Sequence, residues 1–400
     1  MQGKRYGFKY AYRLVLNMLV LVLFATNARA ETKLTTRHTM DYFSTISSLY
    51  LYVEEGKEGD FERTWTKVKE TLAEIESAVS VSEPSSDIAR FNALPCGGEI
   101  SVSPITAELF RTAQEVYNLT DGMYDPTIYP SVDLWGFTPR FNSYFYAPSL
   151  PYDRTLVNGR LPLPDAKHIE ALLPLVGLDG IHLEERDGQV WLRKETPPIE
   201  IDGVVIQAQL DLGGIAKGYA CDRVISLLRE SGFTQGHFVC GGSSLSVMSR
   251  PSEDGMYELT LTKPRQTADK GQYFATVRIR DIGVSTSVDV SQSFREDGVT
   301  YCHIIDPRTG WPINMPNENG VQFGLAGATL LGENATLCDG LTTALLVMGP
   351  DAAMDFLRER EEKNAALVAF RSDEDVLTVL GDMPGLTIRD EAYILAENSD

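Results

Sequence analysis

The chain has 400 residues, 43% hydrophobic and 23% charged, which excludes a disordered or collagen-like protein and allows a self-sufficient core. Its 56 acidic residues outweigh 36 basic ones for a formal charge of −20, which excludes a nucleic-acid binder that relies on a basic surface. Any anionic ligand must then be met locally, by helix N-termini, a few Lys or Arg residues, or a metal.

The first thirty residues read as a secretory signal. Lys4, Arg5, Lys9 and Arg13 precede an apolar run from Leu14 to Ala25, and Ala28-Arg29-Ala30 supplies a cleavage site. The alternative is an uncleaved inner-membrane anchor, for which the run is short. No cysteine follows it, so no bacterial lipid anchor is readable. Residues 31–400 then form a single extracytoplasmic domain, periplasmic or secreted. With five basic and no acidic residues in 1–30, the remainder carries 31 basic against 56 acidic residues, a net −25. Cys96, Cys221, Cys240, Cys302 and Cys338 show no CxxC or Cys/His metal spacing and read as small buried hydrophobes, with one disulfide left open.

Phe61, Trp65, Val68, Leu72, Ile75 and Val79 step by threes and fours along one face of an amphipathic helix. Ser103-Pro104 predicts the N-cap and first position of a second helix, with Ile105, Leu109, Ala113 and Val116 inward. Residues 138–165 read as a long surface loop, and Asp165 as the cap of a short helix to Leu173. Alternation from Gly180 to Arg193 around Asp187-Gly188 predicts a hairpin. A helix to about Arg229 follows the Gly-rich junction at 211–218. Strand-like runs occupy 236–248, 256–263 and 273–286, helices 335–348 and 351–362, and strands 365–370 and 376–380. Strands and helices mix without strict βαβ alternation, which favours an α+β fold.

Four segments carry chemistry. In Asp211-Leu-Gly-Gly-Ile-Ala-Lys-Gly-Tyr-Ala-Cys-Asp222, Gly213 and Gly214 allow close backbone approach. The following helix offers N–H groups to an anion and Lys217 adds a charge, with neither P-loop nor Rossmann spacing. Asp281-Ile-Gly-Val-Ser-Thr-Ser-Val-Asp289 ends a strand in three hydroxyls, Thr286 at their centre, of the kind that hold phosphate oxygens. Tyr301-Cys-His-Ile-Ile-Asp-Pro-Arg-Thr-Gly-Trp-Pro312 places His303, one of five histidines, with Asp306 and Arg308 in a turn. In Asn334-Ala-Thr-Leu-Cys-Asp-Gly-Leu-Thr-Thr-Ala-Leu345, Asp339 and Thr343 share a helix face, an oxygen pair suited to Mg²⁺. Each also has a bland reading: a tight turn, an edge strand, a structural histidine, a capped helix.

Together these segments resemble the ApbE family, the FAD:protein FMN transferases, over roughly residues 40 to 380. The ordered blocks are Ser85–Asn92, Gly122–Thr127, Leu134–Phe137, Asp211–Asp222, Gly241-Gly242, Val284–Asp289, His303–Pro312 and Asp339–Leu345. The resemblance implies an α+β fold related to the T-fold, with mixed and antiparallel sheets and FAD in a cleft between two lobes. It implies FAD contacts at Met123, Tyr124, Asp125, Lys217 and Thr286. A Mg²⁺ ion would be held by Asp339, Thr343 and a backbone carbonyl placed at Ala220. His303 is expected as the base that activates the acceptor hydroxyl, with Asp306 as its orienter or an alternative base. FAD is the substrate. The partner is an exported acceptor protein with a Ser/Thr flavinylation motif, including a membrane-associated redox complex. FAD pyrophosphatase activity and non-catalytic flavin binding are the alternatives.

Four places depart from the family pattern. Met40-Asp-Tyr-Phe-Ser-Thr45 replaces Met-Gly-Thr, Ser82 stands near an absent Tyr, and Gly241-Gly242-Ser243 replaces Gly-Gly-Asn. Val288 replaces a Gly, which predicts an altered loop, since Val resists positive φ. Tyr42 or Phe43 would cover the flavin instead of the absent Tyr. Ala326-Gly-Ala-Thr329 approaches an acceptor motif but reads more simply as a strand of small residues.

Overall fold

The computed structural model describes residues 32–138, 163–264, 272–360, 364–374 and 377–396. The expected signal at 1–30 and most of the loop expected at 138–165 lie outside the described residues. Among the described residues, no helix is long and apolar enough to cross a membrane.

Among the described residues the framework is a sheet of nine strands. Their order is Thr32–Thr39, Ser47–Glu54, Gly236–Cys240, Ser244–Val247, Ile282–Val288, Phe323–Gly332, Ala365–Arg371, Leu377–Leu380 and Tyr393–Leu395. Every neighbouring pair is antiparallel except the last. Side chains alternate across such a sheet, so each strand serves two layers. Leu49, Leu51 and Phe238 join a core with the helices Glu58–Val79, Pro104–Leu119 and Gly213–Glu230. Leu325, Ala328, Leu330 and Leu367 join a second core with the helices Ala335–Met348 and Pro350–Glu359. The opposite sheet face, through Leu245, Val247, Val284, Val368 and Phe370, packs on a small sheet of Tyr257–Thr262, Tyr273–Ile279 and Thr387–Ile388. The fold is thus α+β, with helices on one face of an essentially antiparallel sheet.

Local sequence accounts for most of these elements. The periodic stripe forms the helix Glu58–Val79, with Phe61, Trp65, Val68, Leu72 and Ile75 buried. Each such side chain contributes about 1.5–3 kcal/mol of burial. Ser103 caps Pro104–Leu119 by accepting the Thr106 N–H at 3.2 Å. The hairpin forms from Ile181–Arg186 and Gln189–Lys194, with Asp187 and Gly188 both at positive φ, as a tight hairpin turn requires. The runs at 236–248 and 273–286 each prove to be two strands.

Three expectations need correction. Asp165 precedes the helix Ala166–Leu172 but makes no cap hydrogen bond, and its carboxylate lies 3.6 Å from Lys167. No altered loop follows from Val288: it sits in extended backbone opposite Gly327. Cys221, Cys240, Cys302 and Cys338 are buried as expected, whereas Cys96 is exposed, and no disulfide joins them among the described residues.

Candidate active site

The site forms where two helices meet the middle of the large sheet. The helix Gly213–Glu230 crosses the start of Ala335–Met348 so closely that a Cβ on Gly218 would lie 2.2 Å from the Ala335 carbonyl oxygen. A Cβ on Gly283, in the strand beneath, would lie 2.7 Å from the Ala335 N. Only glycine permits both approaches. Asp222 fixes the crossing from one helix to the other. Its carboxylate accepts the Ala335 N–H at 3.0 Å, the Thr336 N–H at 2.9 Å and the Thr336 hydroxyl at 2.7 Å. Burial raises the Asp222 carboxyl above its usual range, and these donors oppose the rise.

Asp339, one turn into the second helix and 3% exposed, points back into the same seam. Its Oδ2 accepts the Gly218 N–H at 3.0 Å, and its Oδ1 accepts the hydroxyls of Ser285 at 2.7 Å and Ser244 at 3.2 Å. One turn further, Thr343 Oγ1 donates to the Asp339 carbonyl at 3.4 Å and lies 3.3 Å from Ser287 Oγ, which is also 2.9 Å from Thr342 Oγ1. A buried carboxylate therefore stands among hydroxyls and one amide, and no Lys, Arg or His hydrogen bond or ion pair to it occurs among the described residues. No group of three or more His, Cys, Asp or Glu assembles as a metal cluster among those residues. The donor set is one carboxylate plus neutral oxygens. That fits a hard divalent cation that takes its remaining oxygens from water and a phosphate substrate.

Beside this seam lies the Gly-rich junction. The Asp211 Oδ1 accepts the Gly213 N–H at 2.7 Å, so a carboxylate already occupies part of the helix N-terminus expected to receive an anion. Burial raises the Asp211 carboxyl, opposed by that N–H and by nearby Lys217. Lys217 Nζ donates to the Gly213 carbonyl at 3.3 Å, and its stem runs under the Gly241 turn. Gly214 leaves room for Tyr124, whose ring carbon Cε2 lies 3.0 Å from where a Cβ would stand. The Tyr124 hydroxyl is buried without a hydrogen-bond partner and is raised well above its ordinary value. Burial is the main cause, followed by Asp211, Asp339 and Asp125. Asp125 accepts the Thr127 N–H at 2.8 Å and hydroxyl at 2.5 Å, yet burial still pushes it up to about 6. Met123 is half-buried between the two helix-side cores.

His303 lies within range of the Lys217 charge. Burial first and the Lys217 charge second lower its imidazole to about 4, with the Gln292 backbone opposing, so at neutral pH it holds no proton charge. Its Nδ1 has no hydrogen-bond partner. Asp306 does not orient it. The Asp306 carboxylate is engaged by Arg308, whose Nε lies 2.9 Å from Oδ1 and Nη2 2.7 Å from Oδ2.

Thr286 also departs from expectation. Strand alternation turns Ser285 and Ser287 toward Asp339, Thr342 and Thr343, while Thr286 faces the small sheet and lies 2.9 Å from Thr329 Oγ1. Ala220 is fully buried inside the helix Gly213–Glu230, where its carbonyl belongs to the helical ladder. The carbonyl whose ladder partner is drawn elsewhere is that of Gly214, because the Gly218 N–H points at Asp339. Sequence reasoning missed Ser244, Ser285 and Ser287 as partners of the seam. The signal was present as Ser-x-Ser in both strands, Ser244-Leu-Ser246 and Ser285-Thr-Ser287. Its meaning depends on the pairing of Ser285 with Ser244, forty-one residues away.

Known proteins bear on this arrangement. The model of the ApbE family matches residues 40–368. The FAD:protein FMN transferase of Haemophilus influenzae is 27% identical over 331 residues, covering 82% of this chain and 84% of its own. The flavin transferase ApbE from Vibrio cholerae superposes with a TM-score of 0.69 at 23% identity, over 88% of this chain and 98% of its own. The apo flavinyl transferase ApbE of Pseudomonas stutzeri gives 0.69 at 24%, over 89% and 96%. With most of its length matched in the same order as the segments that build the seam, the chain belongs to the ApbE family.

Proposed function

We propose that the protein transfers FMN from FAD to a Ser or Thr hydroxyl of an exported redox protein and releases AMP, with Mg²⁺ required. The observation that carries this reading is the meeting of a buried oxygen cluster around Asp339 with Lys217 and the neutral His303. Phosphoryl transfer needs positioning and charge neutralisation more than covalent help from the protein. Asp339, Thr343 and a backbone carbonyl of the helix Gly213–Glu230 would hold the cation, and the hydrogen-bond pattern favours Gly214 over Ala220 for that carbonyl. When bound, the cation supplies positive charge at the pyrophosphate.

This chain's own groups do the rest. Lys217 faces the developing phosphate charge. Gly213 and Gly214 let FAD approach the backbone, and Met123, Tyr124 and Asp125 line the entry. His303, unprotonated, accepts the proton of the acceptor hydroxyl as the new oxygen–phosphorus bond forms. The bond from that phosphorus to the bridging oxygen breaks, and AMP departs with the electron pair. Asp306 is bound to Arg308, so it serves the turn rather than the proton. Thr286 supports the strand from its far face. Residues 1–30, with their basic start and apolar run, support export, so the acceptor is sought among exported proteins.

Incubation with FAD, Mg²⁺ and an exported acceptor domain tests the reading. FMN bound to the acceptor is the expected product. Free FMN plus AMP would make the protein a hydrolase, and intact bound FAD a binder. His303→Ala should keep FAD binding and lose transfer, and undiminished turnover in that variant would end the assignment of the base.

A further inference from the structure

A base is usually held by a polar partner, as a carboxylate holds the histidine of a hydrolytic triad. Here the expected carboxylate is taken by Arg308, and the His303 Nδ1 is unpartnered. The ring's polar contact is with the Gln292 backbone, and beside it the ring packs edge-to-face with Phe137, with centroids 6.4 Å apart and planes at 69°. We propose that Phe137 is a positioning residue for the His303 imidazole, and that the segment Leu134–Phe137 sets the geometry of the whole His303 loop. This rests on the reading of His303 as the base.

The segment grips the loop at two points. The loop folds back on itself, with Ile305 bridged to Pro312 and the Ile313 N–H donating to the Ile304 carbonyl at 3.0 Å. At its tip the Gly310 carbonyl accepts the Trp135 indole N–H at 2.8 Å, and Trp135 is 2% exposed. From Trp135 a column of rings returns to the base. Trp135 stacks on Tyr301 at 5.6 Å, Tyr301 on Phe294 at 5.1 Å, and Phe294 on Phe137 at 5.7 Å. Phe137 then closes the circuit on His303, two residues after the indole that pins the tip. A planar ring held at its edge by a packed aromatic column has few orientations available. The Nδ1 side of the imidazole is closed to water, while the residue as a whole is partly exposed. Lys217, from the helix Gly213–Glu230, is the charged group that faces it.

The test uses the full chain with FAD, Mg²⁺ and acceptor, and reads kcat, KM for FAD and the acid limb of the pH–rate profile. Phe137→Ala should lower kcat by roughly tenfold or more through misplacement of the base, with KM changed by less than about twofold. Its acid limb should move up by about one pH unit or more as water reaches the ring. Phe137→Leu, which keeps the bulk, should recover most of both. Trp135→Phe removes the indole N–H together with one fused ring, and should lower kcat with the acid limb in place. Phe137→Ala with parental kcat and an unmoved limb would overturn the proposal. So would equal losses in the Ala and Leu variants with unmoved limbs, the mark of mere packing. Should the Ala variant fail to fold, the limb of Phe137→Leu decides alone: a small upward move supports the proposal and none refutes it. His303→Ala separates the two levels, since activity in that variant removes the base itself whatever Phe137 does.

Discussion

Gly218→Ala should damage both the fold and the site through one atom. The added Cβ would lie 2.2 Å from the Ala335 oxygen, 2.7 Å from its carbonyl carbon and 2.8 Å from Thr336 Cα. All three are backbone atoms at the start of the helix Ala335–Met348, so no side chain can swing aside. The helix must retreat by about 1 Å to restore van der Waals distance. Overpacking of this kind costs about 1–3 kcal/mol. The retreat also stretches the Asp222 bonds to Ala335 and Thr336, which supplement the Asn334 cap of that helix, and loss of such end bonds adds about 1–2 kcal/mol. A total of about 2–5 kcal/mol lowers the melting temperature by roughly 2–6 °C in a chain of this size. Asp339 and Thr343 ride on the displaced helix, and a 1 Å misplacement costs about a hundredfold in rate. Thermal unfolding followed by circular dichroism, with FMN transfer on the same samples, reads both effects. Gly59→Ala is the control, because its Cβ would meet only the Arg63 Nη1 at 3.5 Å. A Gly218→Ala protein that melts with the parent and transfers FMN at the parental rate would refute the close-approach argument.

Asp339→Asn keeps the volume of the side chain and removes its charge, so Mg²⁺-dependent transfer should vanish while the melting temperature stays level or rises. Saturable Mg²⁺ activation in that variant, or indifference of the parent to a chelator, would count against the cation site. Ser285→Ala should weaken the Mg²⁺ requirement's midpoint by about tenfold, given that hydrogen bonds to charged groups carry about 1.5–3 kcal/mol. Thr286→Val, on the other face, should leave the midpoint alone, and a reversed order would invert the face assignment. Acid should destabilise the fold through two histidines, half-buried His303, lowered to about 4, and buried His237, flanked by Tyr50 and Tyr257 and lowered to about 3. The sign follows because both lie below the unfolded value of 6.5: the contribution is full above 6.5 and is lost as pH falls toward 3, together roughly 8 kcal/mol. Asp125, raised to about 6, returns roughly 3 kcal/mol as it protonates between pH 6 and 3.8. Denaturant midpoints for His237→Phe should therefore fall less steeply with acid than those of the parent, and parallel curves would refute the reasoning.

Local signals were legible where local chemistry decides the structure. The stripe from Phe61 to Val79, the Ser103 cap and the Asp187-Gly188 turn each formed as their residues dictate. Asp339 and Thr343 were readable as a pair because helical spacing alone puts them on one face. The failures share a different cause. His303 and Asp306 are three residues apart, but whether they touch depends on what else competes for the carboxylate, and Arg308 competes at close range. The hydroxyls of Ser285, Thr286 and Ser287 are adjacent in sequence and alternate in space. Which face holds the site is set by pairing with Ser244 and by a helix fifty residues further on. The first two strands, Thr32–Thr39 and Ser47–Glu54, escaped notice for the same reason, since only their partners show that they begin the sheet.

The seam itself argues for what Asp339 is for. On the helix-facing side of the sheet, Leu49, Leu51 and Phe238 stand to one side and Leu325, Leu330 and Leu367 to the other. Between them run Ser244, Ser246, Ser285 and Ser287, where apolar residues would join the two cores into one. A buried hydroxyl without a partner costs about 1–3 kcal/mol and a buried charge more, so such a stripe persists only if it is satisfied and used. Asp222 accounts for part of it: Ser246 Oγ donates to its carboxylate, which ties down the first residues of the incoming helix and so has a structural task. Asp339 has no comparable task. The helices are already pinned by Asp222 and by the glycine contacts, and replacing Asp339, Ser244 and Ser285 by apolar residues would leave those in place. A second carboxylate, surrounded by neutral oxygens beside Lys217, is the feature on which the proposed cation site rests. The seam is therefore best understood as the part of the core given over to binding, held rigid by Asp222 so that Asp339 is presented in a fixed place.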